Sequence, residues 1–444
     1  MSFSPQRLIQ TLKALERSAP APQRYVVALS GGLDSCVLLH ALATSRREHG
    51  RELLAIHVNH QLQPESAQWA AFCASTARDL DVEFVAIPVT VDLGAGRGPE
   101  AAARKARYDA LAAGSEPDDW ILSAHHRDDQ AETLLLNLLR GSGPLGVAGI
   151  PAARPLGEGW LIRPLLESSR DAHLAYARSV GLRWIEDPSN RDTRYDRNFL
   201  RNEVLPLLQT RWPDVSARLA SSAGLARNAA DLLDELAGSD LQALGGNPGQ
   251  LPVDAFARLP RARQQNLLRY AARLNALPPP LAAHVDQVLA QMTTAREDAA
   301  PLVEWPGAQV RRFRDAIYLM SDVPRLTLAP GTPLTREPLP LGPGLGRLSL
   351  ADVGGTGLSP RLVSHGLTVR TRAGGEEIKP AGQAHTRKLK KLLHEAAVVP
   401  WLRDQLPLVY AGDDLVAVGD LWVAAEAAAD DGLSIAWEGR PDLY

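Results

Sequence analysis

Cysteine is almost absent: the 444-residue chain has two, Cys36 and Cys73, far apart. That excludes a CxxC redox pair, a disulfide framework and a cysteine-built zinc site. Long apolar runs are missing as well, and none approaches the ~18–20 residues that a membrane span requires. The stretch from Met1 to Pro20 spreads Arg7, Lys13, Glu16 and Arg17 through a helical pattern, unlike the charged start and apolar block of a leader. A soluble, cytoplasmic protein with no membrane partner is expected. A charge excess is lacking too. Lys and Arg number 48 against 51 Asp and Glu, a net charge of −3, which argues against a globally basic nucleic-acid binder. Lysine is the scarcest base, with six against 42 arginines. Yet Lys379, Lys388, Lys390 and Lys391 fall within one short stretch.

What is present is 45% hydrophobic residues, ordinary for a globular protein, arranged in alternating patterns. Short apolar stretches at 25–29, 53–58, 84–89 and 120–124 alternate with helical periods at 34–47, 65–80, 99–113 and 128–140. Such alternation predicts βαβ units, hence an α/β fold with a parallel sheet whose ligands bind at the carboxyl ends of the strands. A helix over 168–180 and a strand over 182–185 continue the pattern. From 213 to 323 the chain reads as a mainly helical middle domain closed by two short strands near 308–320. Residues 324–360 are rich in Pro and Gly and read as a linker or irregular insertion. A small α+β domain follows over 361–444, with strands at 367–372, 407–411 and 415–418 and a helix near 386–397. The boundaries are therefore 1–212, 213–323, 324–360 and 361–444.

Three strand ends carry chemistry. Ser30-Gly31-Gly32-Leu33-Asp34-Ser35 follows the first strand and opens a helix. The glycines permit positive φ and close backbone approach, and N–H groups at the helix start with the Ser30 and Ser35 hydroxyls suit an anion such as phosphate. Asp34 would repel that anion unless it holds a cation, which implies Mg²⁺. His57-Val58-Asn59-His60-Gln61-Leu62 ends the second strand. Ala124-His125-His126-Arg127-Asp128-Asp129-Gln130-Ala131-Glu132-Thr133 ends the fourth and opens a helix. There Asp129 and Glu132 stand three apart, on one helix face, as a pair able to grip a cationic amine. On the helix before it, Arg104 and Arg107 share a face and suit phosphate oxygens.

SGGLDS is similar to the SGGxDS motif of the PP-loop ATP pyrophosphatases. The second and third segments, with ARKARY (103–108), RPLL (163–166), EDPSN (186–190) and RNFLRN (197–202), resemble the lysidine-synthetase branch of that family. Gln61 stands where that branch usually has Gly. The resemblance implies a Rossmann-like ATP-pyrophosphatase domain that binds ATP through Ser30, Gly31, Gly32, Leu33, Asp34 and Ser35, with His57 and Asn59 beside base and ribose. It implies adenylation of cytidine 34 in tRNA(Ile) bearing a CAU anticodon, then attack by free L-lysine, with Asp34, His126 and Asp129 as catalytic groups. Asp129 and Glu132 would hold lysine, with His125, His126 or Asp129 taking its proton. Arg104, Arg107, Arg197 and Arg201 would contact substrate or tRNA. Homodimers are frequent in the branch.

The segment from Gly374 to Arg403 also resembles that branch's C-terminal domain. Residues 361–403 carry nine bases and three acids, net +6, whereas 404–444 carry net −8. Arg387, Lys388, Lys390 and Lys391 thus form a local basic face for tRNA, hidden by the near-neutral total. A tRNA thiolase and a non-catalytic tRNA-binding protein are the rival readings. The lack of paired cysteines speaks against the first, and the intact acids of both motifs against the second.

Overall fold

Residues 3–61, 63–92, 99–295, 299–329, 331–352 and 357–443 are described by a computed structural model. The chain divides into two units, Met1–Leu233 and Asp234–Tyr444. No helix among the described residues is long and apolar enough to cross a membrane.

Unit 1 begins with α1 (Pro5–Leu15), where Ser4 caps the amide of Arg7 and Pro5 presets the first turn. Then follow β1 (Arg24–Ala28), α2 (Leu33–Thr44), α3 (Arg46–His49), β2 (Glu52–Asn59) and α4 (Ser66–Asp79). After these come β3 (Glu83–Pro88), α5 (Pro99–Ala113), β4 (Asp119–Leu122) and α6 (Arg127–Leu139). The four expected strand–helix pairs therefore form. Short α7 (Pro144–Val147), the hairpin β5 (Ala153–Leu156) and β6 (Gly159–Ile162), and α8 (Arg170–Ser179) complete the sheet unit. The sheet order is β3-β2-β1-β4-β6-β5, parallel except for β5. Val27, Trp120, Leu122 and Ile162 are wholly buried between the helical layers, as a two-sided parallel sheet demands. The order reverses between β1 and β4, and this is the switch point at which such sheets bind ligands.

The strand expected at 182–185 does not form. Its Ile185 amide is donated to Gly31 O at 2.9 Å, so the segment braces the loop after β1 instead of extending the sheet, whose edge is β5. Beyond it lie α9 (Asp196–Phe199), a π-helical turn over Leu200–Val204, α10 (Leu205–Arg211) and α11 (Val215–Ala243). The division between units falls inside α11, beyond the expected 212/213 boundary. Val215 packs with Leu205 and Ala131, which ties the start of α11 to unit 1.

Unit 2 holds two cores. In the first, α12 (Val253–Arg258), α13 (Arg261–Leu274) and α14 (Ala282–Thr294) pack on a sheet of β7 (Gln250–Pro252), β8 (Leu302–Trp305), β9 (Ala308–Phe313) and β10 (Ala316–Met320). Phe256, Leu267, Val288 and Ile317 lie at its centre. The Pro/Gly-rich stretch is not a linker. It carries β11 (Thr332–Leu334), β12 (Leu339–Gly342), β13 (Gly346–Ala351) and β14 (Gly357–Leu358). Pro333 and Pro340 sit on the outer strands β11 and β12, where a missing N–H costs no ladder bond. The chain continues through α15 (Pro360–His365), β15 (Leu367–Arg370), β16 (Glu377–Ile378), β17 (Arg387–Lys388), α16 (Leu389–Glu395), β18 (Leu408–Ala411) and β19 (Asp414–Val418). It closes with β20 (Trp422–Val423), β21 (Ala428–Ala429) and β22 (Ser434–Glu438). Thus β13 pairs with β22 and β11 with β15, so residues before 361 belong to the C-terminal fold. The expected helix near 386–397 is shorter, because Arg387 and Lys388 ladder with Ile378 and Glu377.

Candidate functional site: a cavity at the sheet switch point

A cavity of about 1140 Å³ opens above the ends of β1, β2 and β4, larger than the roughly 300–1,000 Å³ typical of a one-ligand pocket. All three sequence motifs line it, so the separations of some 30 and 70 residues between them collapse into one site.

The loop after β1 is built tightly. Gly31 has φ +84°, and a Cβ there would meet Cys73 Sγ at 3.1 Å and Ile185 Cδ1 at 3.2 Å. Ser35 Oγ donates to Gly32 O at 2.9 Å and lies 3.1 Å from Ser30 Oγ, which sets both hydroxyls at the mouth of α2. Leu33 and Asp34 open that helix and line the cavity. Both cysteines are buried beneath the loop, and burial pushes each thiol up to about 12, so neither is a nucleophile at neutral pH.

His57 and Asn59 line the cavity at the end of β2. His57 Nδ1 lies 2.9 Å from Leu29 O, fixing the strand end against the β1 loop. Gln61, the departure from the family's glycine, takes φ +55°. The Asn59 side chain accepts the Gln61 amide at 2.9 Å and braces this left-handed turn, a backbone conformation that favours glycine. Arg107 reaches His60 at 3.4 Å; burial, followed by that guanidinium, lowers His60 to about 4. Arg104 is turned away and lies over the Tyr108 ring at 5.2 Å, with Arg154 on the same ring at 5.0 Å.

At β4, α6 starts with a reciprocal cap. His126 Nδ1 accepts the Asp128 amide at 3.2 Å, and Asp129 Oδ2 accepts the His126 amide at 2.9 Å. With Nδ1 accepting, the neutral tautomer is the one with its proton on Nε2, which lies 3.5 Å from Asp34 Oδ2 and 3.6 Å from Asp129 Oδ2. His125 points to Ser123 Oγ at 2.7 Å, and burial, outweighing the nearby Asp129, lowers it to about 3.

The expected grip of Asp129 and Glu132 on a free amine meets a different arrangement. Glu132 is 1% exposed, and Arg197 Nε reaches its Oε2 at 2.8 Å while Arg201 Nε reaches its Oε1 at 2.6 Å. Both guanidiniums also donate to Asp129 Oδ1, at 3.2 and 3.0 Å. Burial would raise Asp129, but His126, the two arginines and His125 outweigh it and hold the carboxyl well below the usual range. Arg197 and Arg201, expected to contact substrate or tRNA, are thus members of a charge-balanced quartet with Asp129 and Glu132. One residue that sequence reasoning did not single out belongs here too. His173 of α8 places Nδ1 2.7 Å from Asp34 Oδ1. The basic residues Arg387, Lys388, Lys390 and Lys391 lie in unit 2. The three lysines are exposed, whereas Arg387 is paired with Glu395.

Residues 5–208 match the PP-loop domain, 251–318 the TilS substrate binding domain and 367–437 the TilS substrate C-terminal domain. The chain is 42% identical over 98% of its length to the tRNA(Ile)-lysidine synthase of Alkalilimnicola ehrlichii, covering 97% of that protein. To the enzymes of that name from Coxiella burnetii and Methylococcus capsulatus it is 39% and 42% identical, over 94% and 91% of this chain and 92% and 93% of theirs.

Proposed function

Because the chain belongs to the tRNA(Ile)-lysidine synthase family, we propose that it ligates L-lysine to C2 of cytidine 34 in the CAU anticodon of tRNA(Ile), using ATP. The observation that carries this reading is one cavity lined by both the phosphate cradle after β1 and the acid–arginine quartet after β4. Its volume suits a nucleotide, an amino acid and an extruded base together.

In the first step cytosine O2 attacks the α-phosphorus of ATP and pyrophosphate leaves. The amides at the start of α2 and the Ser30 and Ser35 hydroxyls stabilise the departing charge. Mg²⁺, when bound, neutralises phosphate charge in such transfers. Mg²⁺ binds through one or two carboxylates plus substrate phosphates, and a partly exposed carboxylate lines the cavity at the start of α2. Asp34 is that carboxylate.

In the second step the lysine ε-amine attacks C2 and AMP leaves. Free lysine is zwitterionic at its α-carbon, and the quartet has both halves of a complement. Arg197 and Arg201 take the α-carboxylate while Asp129 and Glu132 turn to the ammonium groups. The ε-ammonium, with an ordinary pKa of about 10.4, must lose a proton before it attacks. His125 at about 3 and the depressed Asp129 are weak bases. His126 is the remaining imidazole; taking the proton requires its Nδ1 to release the Asp128 amide, and the imidazolium would then face Asp34, Asp128 and Asp129. A sulfur-transfer role is disfavoured by the two buried, protonated thiols.

The two steps separate experimentally. With ATP, Mg²⁺ and tRNA(Ile)(CAU) but no lysine, pyrophosphate is released and the tRNA carries AMP. Asp34→Asn abolishes this, whereas Glu132→Gln preserves it and blocks lysine transfer. Loss of adenylation in both variants would remove the assignment of the quartet to lysine.

A further inference from the structure

His173 has the features of a built position. It sits in α8, 139 residues from Asp34, and is fully buried. A carboxylate only accepts, so His173 Nδ1 is the donor in the 2.7 Å contact to Asp34 Oδ1. Its ring plane is clamped edge-to-face by Phe3 at 5.2 Å and by His126 at 5.8 Å. Nε2 is buried and has no hydrogen-bond partner among the described residues, so there the contact to Asp34 is the ring's one hydrogen bond. Asp34 lines the cavity and keeps 22% of its side chain exposed. Its second oxygen, Oδ2, is 3.5 Å from His126 Nε2, too far for a strong hydrogen bond.

We infer that His173 is a positioning residue that ties down one oxygen of Asp34 and thereby presents the other as a single-oxygen ligand for the divalent cation on the ATP phosphates. This deepens the reading of Asp34 as the cation-holding carboxylate and rests on it. The physical reason is preorganisation. A carboxylate at a helix start otherwise rotates between its own backbone amides, solvent and the cation. A donor held in a dry aromatic wall removes that freedom before ATP arrives.

The test uses Mn²⁺ as a spectroscopic probe, reading free Mn²⁺ by electron paramagnetic resonance in the presence of the full-length protein and ATP. Asparagine places an amide N–H where Nδ1 stands, glutamine places it one bond further, and leucine supplies none. His173→Leu and His173→Gln weaken Mn²⁺ binding in the ATP complex by roughly ten- to hundredfold, as outer-sphere partners of metal ligands do, and His173→Asn stays close to wild type. Thermal unfolding of each variant is recorded in parallel. If the leucine variant does not fold, the Asn-against-Gln difference decides alone. Equal Mn²⁺ affinity in Asn and Gln variants, whether wild-type or weakened, overturns the positioning role. Asp34→Asn is the separate control. Unchanged Mn²⁺ binding in that variant removes the Asp34 reading itself, whereas loss there with no effect at position 173 removes only the role of His173.

Discussion

Gly31 shows how little freedom the phosphate loop has: φ +84° with Cys73 and Ile185 side chains just beyond where a Cβ would stand. Gly31→Ala is expected to destabilise unit 1 by about 1–2 kcal/mol through left-handed strain and to abolish ATP binding, measured by urea unfolding and nucleotide titration. His125 sets an acid limit. Its folded value of about 3 lies below the ordinary 6.5 or so of an unfolded chain, which therefore binds the proton first as pH falls. Stability declines from about pH 6.5 downward, and Asp129, depressed by its partners, loses its contribution only below the ordinary carboxylate range. His125→Gln should flatten the fall in urea midpoint between about pH 6.5 and 4; an unchanged slope would show that other groups cause it. Ser30 to Ser35, His57, Asn59, Asp129 and Glu132 were legible in the sequence because their motifs sit at or just after strand ends, where fold and chemistry coincide. His173 was not legible because its partner is 139 residues away and a lone histidine in a helix carries no spacing signal.

At the scale of elements, the quartet joins α6 to α9 and the π-helical turn behind it. Sequence spacing placed Asp129 and Glu132 on one face, whereas at Arg197 and Arg201 it offered only a basic helix start. It could not say that the two faces meet, because contact across 65–72 residues depends on the path of the intervening chain. A cycle of Glu132→Ala, Arg201→Ala and the double variant should yield a coupling of about 1–3 kcal/mol in chemical denaturation. Additivity would mean that the pair is not a stabilising contact. The same limit explains the misread linker. Pro and Gly density signals breaks, but at β11 and β12 the prolines occupy edge strands, a fact that emerges only when the sheet partners β15 and β13 are known.

At the scale of the whole molecule, the near-zero net charge hides a +6 segment whose Lys388, Lys390 and Lys391 are exposed and form no ion pair within 4 Å among the described residues. Replacing all three with Ala should weaken tRNA binding and reduce the slope of log affinity against log salt by about 2–3, as expected for three lost phosphate contacts. Incubating the protein with ATP, Mg²⁺, radiolabelled lysine and unmodified tRNA(Ile)(CAU) should place one lysine on cytidine 34 and release AMP and pyrophosphate in equal amounts. Release of ADP, or a tRNA that remains unlabelled while ATP is consumed, would contradict it.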